Sequence, residues 1–351
     1  MAYITINKEH FAHNLCVIQE HLKMINPQKN IQVGAVLKDN GYGHGLEIMS
    51  NLAQQNNITS VFVKNYEEAI KIAHKFDSVT FFYGIAHKKI TNIYPTIHSF
   101  NDIFNMERII GDLSGMGVEL KVNIGMNRNG IELRDLEQYI EMILQKNMRL
   151  IGVFSHNGYG DEIDDEFQRE CDLHDILKEK VRQLSRQLGF PLPRFHSLSS
   201  SCTLRAKYSD DDLVRIGIAL YGYLTNEIEI ESAKNLKPIL KLYANKISTR
   251  VLNPAEKIGY GGKSIIHEKT AISTYDIGYG DGMYRVNGSK KVLLPNGKEI
   301  LPRSSMDCFS CYDTANEICV IDDAAYIASL FDTIPYEVLT RLSPFIERRI
   351  I

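Results

Sequence analysis

Gly34-Ala-Val-Leu-Lys-Asp-Asn-Gly-Tyr-Gly-His-Gly45 is the stretch from which the rest of the chain is read. The apolar run 31–37 has the length and composition of a buried strand, and a helical pattern opens at Leu46. Between them stand Lys38 and three glycines, Gly41, Gly43 and Gly45. These glycines match neither the Walker A loop nor the dinucleotide fingerprint. A strand that carries a lysine to its carboxyl end places an amine where parallel α/β folds keep their chemistry. Taken alone, Lys38 is better read as a solvated charge, the usual state of a lysine at a strand end.

Working outward, strand-like and amphipathic segments alternate. Strands are expected at 32–37, 60–63, 79–83, 97–99, 119–122, 150–154, 194–198 and 213–216, and helices at 10–24, 46–55, 66–74, 102–113, 133–146 and 166–188. Eight short strands in the first 222 residues approach the roughly 250 residues typical of a closed (β/α)8 barrel, which they favour over an open doubly wound sheet. Beyond residue 222 the texture becomes β-rich at 238–251, 270–276, 290–294 and 317–330, with turn signals at Asn253-Pro254, Pro295-Asn296-Gly297 and Asp322-Asp323. The expected fold is α/β plus β: a TIM-like barrel over residues 1–222 and an all-β domain over 223–351. The strand at 3–6 is expected to pair with the second domain.

Composition limits the functional classes. With 40 basic against 43 acidic side chains, the formal charge of −3 gives no electrostatic basis for nucleic acid or an anionic membrane as partner. No apolar run nears the ~18 residues of a membrane helix, and no basic-then-apolar leader opens the chain, so a cytoplasmic protein is expected. Six cysteines are too sparse for a disulfide framework. Cys308-Phe-Ser-Cys311 has the spacing of a redox or zinc half-site, but no second pair accompanies it and coincidence is the better reading; no metal is expected.

Barrel enzymes assemble their sites at the carboxyl ends of strands. Those ends carry Lys38, Arg128, His156 and Ser200, with Arg215 inside the eighth strand. Individually, His156 could be a core histidine and Ser200 a helix cap. Together they would converge on one mouth.

The motifs around these residues resemble those of alanine racemases, pyridoxal-phosphate enzymes of the third fold type. Val36 to Gly45 resembles the cofactor-lysine motif, Lys121-Val-Asn-Ile-Gly-Met-Asn-Arg-Asn-Gly130 the Lys-x-Asp-Thr-Gly-Met-x-Arg-x-Gly segment, Gly152-Val-Phe-Ser-His156 the histidine segment, and Val214-Arg-Ile-Gly-Ile-Ala-Leu-Tyr-Gly222 the arginine and phosphate segment. Further on, Asp276-Ile-Gly-Tyr-Gly-Asp-Gly282 resembles the catalytic tyrosine motif, Arg303-Ser-Ser-Met-Asp307 the substrate-carboxylate segment, and Ile334-Pro-Tyr-Glu337 a second phosphate contact. The matches keep family order from residue 3 to about residue 337.

The resemblance implies interconversion of L- and D-alanine, with D-alanine supplied for peptidoglycan. Lys38 would hold pyridoxal 5′-phosphate as a Schiff base and serve as one base, and Tyr279 as the other. Tyr42, Ser200, Gly217, Ile218 and Tyr336 would cradle the phosphate, and His156 would pack on the ring. Arg215 would face the pyridine nitrogen, and a guanidinium there keeps that nitrogen largely unprotonated. Arg128 and Met306 would meet the substrate, and Lys121 would either be carbamylated or leave Arg128 to another counter-anion. A head-to-tail homodimer with shared sites is implied, Tyr279 entering from the partner chain. A racemase for serine or lysine, a decarboxylase of the same plan, and a non-catalytic cofactor carrier are the alternatives; Arg215 speaks against a decarboxylase, and Tyr279 with the second domain against a carrier. Asp39, Asn123 and Ser199 depart from the family pattern.

Overall fold

The computed structural model describes residues 1–224 and 229–351; residues 225–228, inside the expected second domain, lie outside the described residues. The chain divides into two compact units, one of Ala12–Gly41 and Leu46–Leu236, the other of Met1–Phe11, Tyr42–Gly45 and Lys237–Ile351.

The first unit is an eight-stranded parallel barrel. Its strands, in order, are Gln32–Val36, Ser60–Val63, Ser78–Phe81, Ile93–Ile97, Gly117–Asn123, Arg149–Phe154, Arg194–His196 and Leu213–Ile216. The eighth pairs with the first, Arg215 opposite Gly34. The seventh and eighth are joined by Asp212 N to Phe195 O (2.9 Å) and Arg215 N to Leu198 O (2.9 Å), which nearly closes the ring. Helices such as Leu46–Gln55, Phe100–Ile110, Leu136–Gln145 and Glu166–Leu188 cover the outside with one apolar stripe each.

The fourth strand corrects the expected 97–99: it spans Ile93–Ile97 and contains Pro95. A proline cannot donate to a ladder, so the segment does not read as a central strand. The helix that follows begins at Phe100, held by a capping box in which Ser99 and Asp102 serve each other's backbone groups.

The barrel interior is polar at one level. Arg194 lies there among Ser60 Oγ (3.2 Å), Ser78 Oγ (2.9 Å), Thr80 Oγ1 (3.2 Å) and the carboxylate of Glu119 (2.5 Å). These acceptors come from the second, third and fifth strands, so one guanidinium satisfies polar groups that would otherwise be buried unpaired.

The second unit is built on the 13-residue strand Leu240–Leu252. Tyr3–Ile6 pairs antiparallel with it and parallel with Glu347–Ile350, Thr270–Tyr275 pairs with its far half, and Glu317–Ile321 joins its near half. Two expected strands differ. Residues 290–294 contribute only the isolated bridge Leu293–Glu299. The stretch 317–330 splits into the strand Glu317–Ile321 and the helix Ala324–Leu330. Asp323 makes the break, its side chain accepting from Ala325 N at 2.8 Å, after which apolar residues recur at helical spacing.

Candidate active site

Immediately after the first strand the backbone enters a left-handed turn, with φ of +54°, +57° and +60° at Asp39, Asn40 and Gly41. Non-glycine residues in that region cost of order 1–3 kcal/mol each unless their surroundings hold them. Here Asn40 N donates to Glu68 Oε1 (2.9 Å), Leu46 N to Asn40 Oδ1 (2.9 Å), and Gly41 N to Leu37 O (2.9 Å). Asp39, one of the departures from the family pattern, pairs with Lys64 Nζ at 2.8 Å. The turn leaves Lys38 half-buried at the strand end.

The fifth strand delivers Lys121 and then the loop bearing Arg128. Asn123 organises that loop, its Oδ1 accepting from Gly125 N (3.3 Å) and Asn127 N (3.0 Å) and its Nδ2 donating to Glu132 (3.2 Å). Lys121 is 6% exposed and donates to Asn129 Oδ1. Burial, with the cations Arg128 and Arg215, lowers its ammonium to about 7. His156, after the sixth strand, is held well below the usual histidine value by burial and by Arg215, Lys121, Arg128 and Lys38. The four cations that act on this imidazole are four of the residues the sequence assigns to the site. Their clustering makes a strongly anion-attracting mouth.

Arg215 is 4% exposed. Its Nη1 donates to His196 Nδ1 (2.6 Å) and His196 O (3.0 Å), and its Nη2 to Ser155 O (2.8 Å), Ser197 O (3.0 Å) and His156 Nδ1 (3.3 Å). Every partner is neutral. Burial, only partly offset by Glu119 and Asp211, lowers this guanidinium to about 10, where it stays charged at neutral pH. Among the described residues Nε–H has no acceptor, so one donor of a fixed cation is free for a ring nitrogen.

Ser200, at the start of the short helix Ser200–Arg205, accepts at Oγ from Gly217 N (3.0 Å) and Ala219 N (3.3 Å). Between those two, the fully buried Ile218 has an N–H with no acceptor among the described residues. A hydroxyl and an orphaned amide at one turn suit a phosphate oxygen. Gly217 N–H is engaged by Ser200, so the cradle draws on Ile218 and the hydroxyl.

The second unit holds the remaining candidates. Tyr42 and Tyr336 pack with ring centroids 5.5 Å apart. Tyr279 lies half-buried on a one-turn helix, Tyr279–Asp281, fastened to the substrate segment by Tyr279 N to Ser305 O (3.3 Å) and Gly280 N to Met306 O (2.8 Å). A Cβ at Gly278 would come within 2.2 Å of Met306 O, so only glycine permits that approach. Met306 is 55% exposed, and Arg285 lies over the Tyr279 ring, 6.0 Å from its centroid.

Sequence reading assigned no role to Glu119, His174, Arg194, His196 or Asp211; Glu119 meets His196 (3.1 Å) and Arg194 (2.8 Å), and His174 meets Ser155 Oγ (2.8 Å) and Asp211 (3.1 Å), Ser155 being one of the residues whose carbonyl holds Arg215. The one signal in the sequence was alternation: Glu119 with Lys121, and Arg194 with His196, are i and i+2 on strands and share a face.

An eight-stranded parallel barrel with an amine at its first strand, an anion-attracting mouth and a strand-rich companion unit defines a barrel enzyme built to hold an anionic cofactor. The chain belongs to the alanine racemase family: residues 6–225 match that family's N-terminal domain and residues 239–350 its C-terminal domain. It is 35% identical to the alanine racemase of Campylobacter concisus (strain 13826) over 351 residues, the whole of both chains, and 34% identical to that of a Nitratiruptor species over 349 residues, 99% of each. Among solved structures, alanine racemase of Clostridium difficile 630 superposes with a TM-score of 0.87 at 23% identity, covering 100% of this chain and 95% of that one. The alanine racemase of Bartonella henselae with covalently bound pyridoxal phosphate does so with 0.81 at 21%, covering 100% and 99%. At these identities the structures speak for the fold. Among the described residues no helix is long and apolar enough to cross a membrane.

Proposed function

We propose that this chain is an isomerase, a pyridoxal-phosphate-dependent racemase that interconverts L-alanine and D-alanine with two bases. Family membership over nearly the whole chain supports the reaction class. The observation that carries the cofactor is Arg215, a buried guanidinium fixed by neutral partners whose Nε–H has no acceptor among the described residues, and which acts together with Lys38 on His156.

Lys38 would hold the cofactor covalently, Ser200 and the Ile218 backbone with Tyr42 and Tyr336 its phosphate, Arg215 its ring nitrogen, and His156 the face of its ring. When bound, the cofactor supplies an electron sink for the charge left at Cα when an amino acid loses its α-proton. Lys38 Nζ and Tyr279 Oη each take or return that proton, one on each face of the planar carbon. Arg128 and the Met306 segment orient the substrate carboxylate. An arginine at the ring nitrogen will not give up its proton, so electron withdrawal stays moderate and reprotonation at Cα is favoured.

The active form is a head-to-tail homodimer in which Tyr279 and Met306 serve the partner's Lys38. It works in the cytoplasm and supplies D-alanine for peptidoglycan. Circular-dichroism assays of purified, cofactor-loaded protein across a panel of single L-amino acids test the reaction. Rapid loss of signal with alanine is expected. Loss only with serine or lysine would replace the substrate, and carbon dioxide release without racemisation would overturn the reading. Sedimentation that finds an active monomer would overturn the shared site.

A further inference from the structure

Arg215 reaches its position through a histidine whose tautomer can be deduced. A guanidinium nitrogen only donates, so at 2.6 Å from Arg215 Nη1 the Nδ1 of His196 must be the acceptor. The ring proton then sits on Nε2, which lies 3.1 Å from Glu119 Oε2. Glu119 and His196 are both fully buried, and the imidazole is stacked on Phe154 with centroids 4.8 Å apart and planes 11° apart. The other oxygen of Glu119 accepts from Arg194 Nε (2.8 Å) and Nη2 (2.5 Å). The order is therefore Arg194, Glu119, His196, Arg215, each donor facing an acceptor.

We propose that Glu119 is a positioning residue for this site: its carboxylate fixes His196 as the Nε2–H tautomer and thereby presents Nδ1 to hold the Arg215 guanidinium. The proposal rests on the racemase reading for its catalytic consequence but not for its geometry. A carboxylate that sets an imidazole's tautomer without touching substrate is a recognised device for orienting a catalytic group.

Glu119→Gln separates this role from simple packing, because the amide keeps the shape and changes one acceptor into a donor. Arg194 presents two N–H groups and requires the amide oxygen. That leaves the amide NH2 facing His196 Nε2, which must then accept, moving the ring proton to Nδ1 and setting it against Arg215 Nη1–H. Donor meets donor, and Arg215 loses its anchor on that side.

The experiment is 15N–1H correlation of histidine-ring-labelled protein, prepared without cofactor and with it, the His196 signals being assigned by their loss in His196→Asn. The wild type is expected to show a neutral Nε2–H ring at pH 7, consistent with burial holding this imidazole at about 4. Glu119→Gln is expected to show Nδ1–H, with kcat lowered ~10- to 100-fold, the usual range for groups that orient a functional side chain, and KM changed less. A wild-type ring that is Nδ1–H or doubly protonated would overturn the proposal without any variant having to fold. So would a Glu119→Gln protein that keeps the Nε2–H tautomer. Because the tautomer is read in cofactor-free protein, failure of the racemase reading would appear separately, as absent racemisation by the wild type.

Discussion

Gly152 stands opposite Glu119 in the register between the fifth and sixth strands, and a Cβ there would lie 2.7 Å from Glu119 Oε1. The buried carboxylate thus depends on a neighbouring strand having no side chain at that point. Gly152→Ala should push Glu119 off His196 and Arg194, costing ~1–3 kcal/mol as overpacking in a closed core does. Urea unfolding measures the loss. An alanine variant as stable as the wild type, with an unchanged His196 tautomer, would show that the carboxylate has room to move.

That pairing also shows where sequence reading stops. Seven of the eight barrel strands are legible because apolar runs alternate with amphipathic stretches; Lys38, Arg128 and His156 stand out because each follows such a run, and Arg215 because it is a charge inside one. The fourth strand hides behind Pro95. Glu119 hides differently: a charge inside Gly117–Asn123 has no meaning until Arg194 and His196, more than 70 residues later, arrive beside it. Local pattern specifies the strand, whereas the partner that makes a buried charge tolerable is a product of closure. The left-handed turn after Lys38 was equally obscure, since its positive φ values fall on Asp39 and Asn40 as well as glycine.

Tyr279→Phe should affect the two directions of α-proton exchange unequally. If Tyr279 serves the face that handles the L-enantiomer's proton, exchange from L-alanine in heavy water should fall ~100- to 10,000-fold, the range for loss of a general base, while exchange from D-alanine through Lys38 falls much less. Equal losses in both half-reactions would remove Tyr279 from the role of second base.

Acid should destabilise the chain before its carboxylates titrate. Burial holds His98 and His196 at about 4 and His156 well below its ordinary value. In each case the unfolded chain binds the proton first. Stability is therefore fully present above about pH 6.5 and falls as pH drops toward 4, by at most ~1.4 kcal/mol per pH unit for each histidine. Glu119 does not mask this: Arg194 and His196 outweigh its burial and hold it at about 2, so its contribution is lost only at lower pH. Urea midpoints from pH 7.5 to 4.5 test the slope, which should flatten in His98→Gln; a wild-type profile flat over that window would contradict the neutral, buried imidazoles.

Lys121 is the remaining cation whose presence needs an account. A plain ammonium beside Arg128 and Arg215 is unfavourable, and at about 7 its amine is half neutral at physiological pH. A neutral buried amine is the form that adds carbon dioxide, the nitrogen bonding to carbon and one proton leaving to solvent, which yields a carbamate. That anion would orient Arg128 toward a substrate carboxylate. Protein equilibrated with 13C-bicarbonate should give a carbamate resonance that is absent in Lys121→Gln, grows as pH rises through 7 and fades below it. Lys121→Gln should raise KM for alanine ~10- to 100-fold, the equivalent of one charge-assisted hydrogen bond, with a smaller effect on kcat. A wild-type spectrum without that resonance, together with an unchanged KM in the variant, would remove the carbamate and leave Arg128 to be oriented by its own loop.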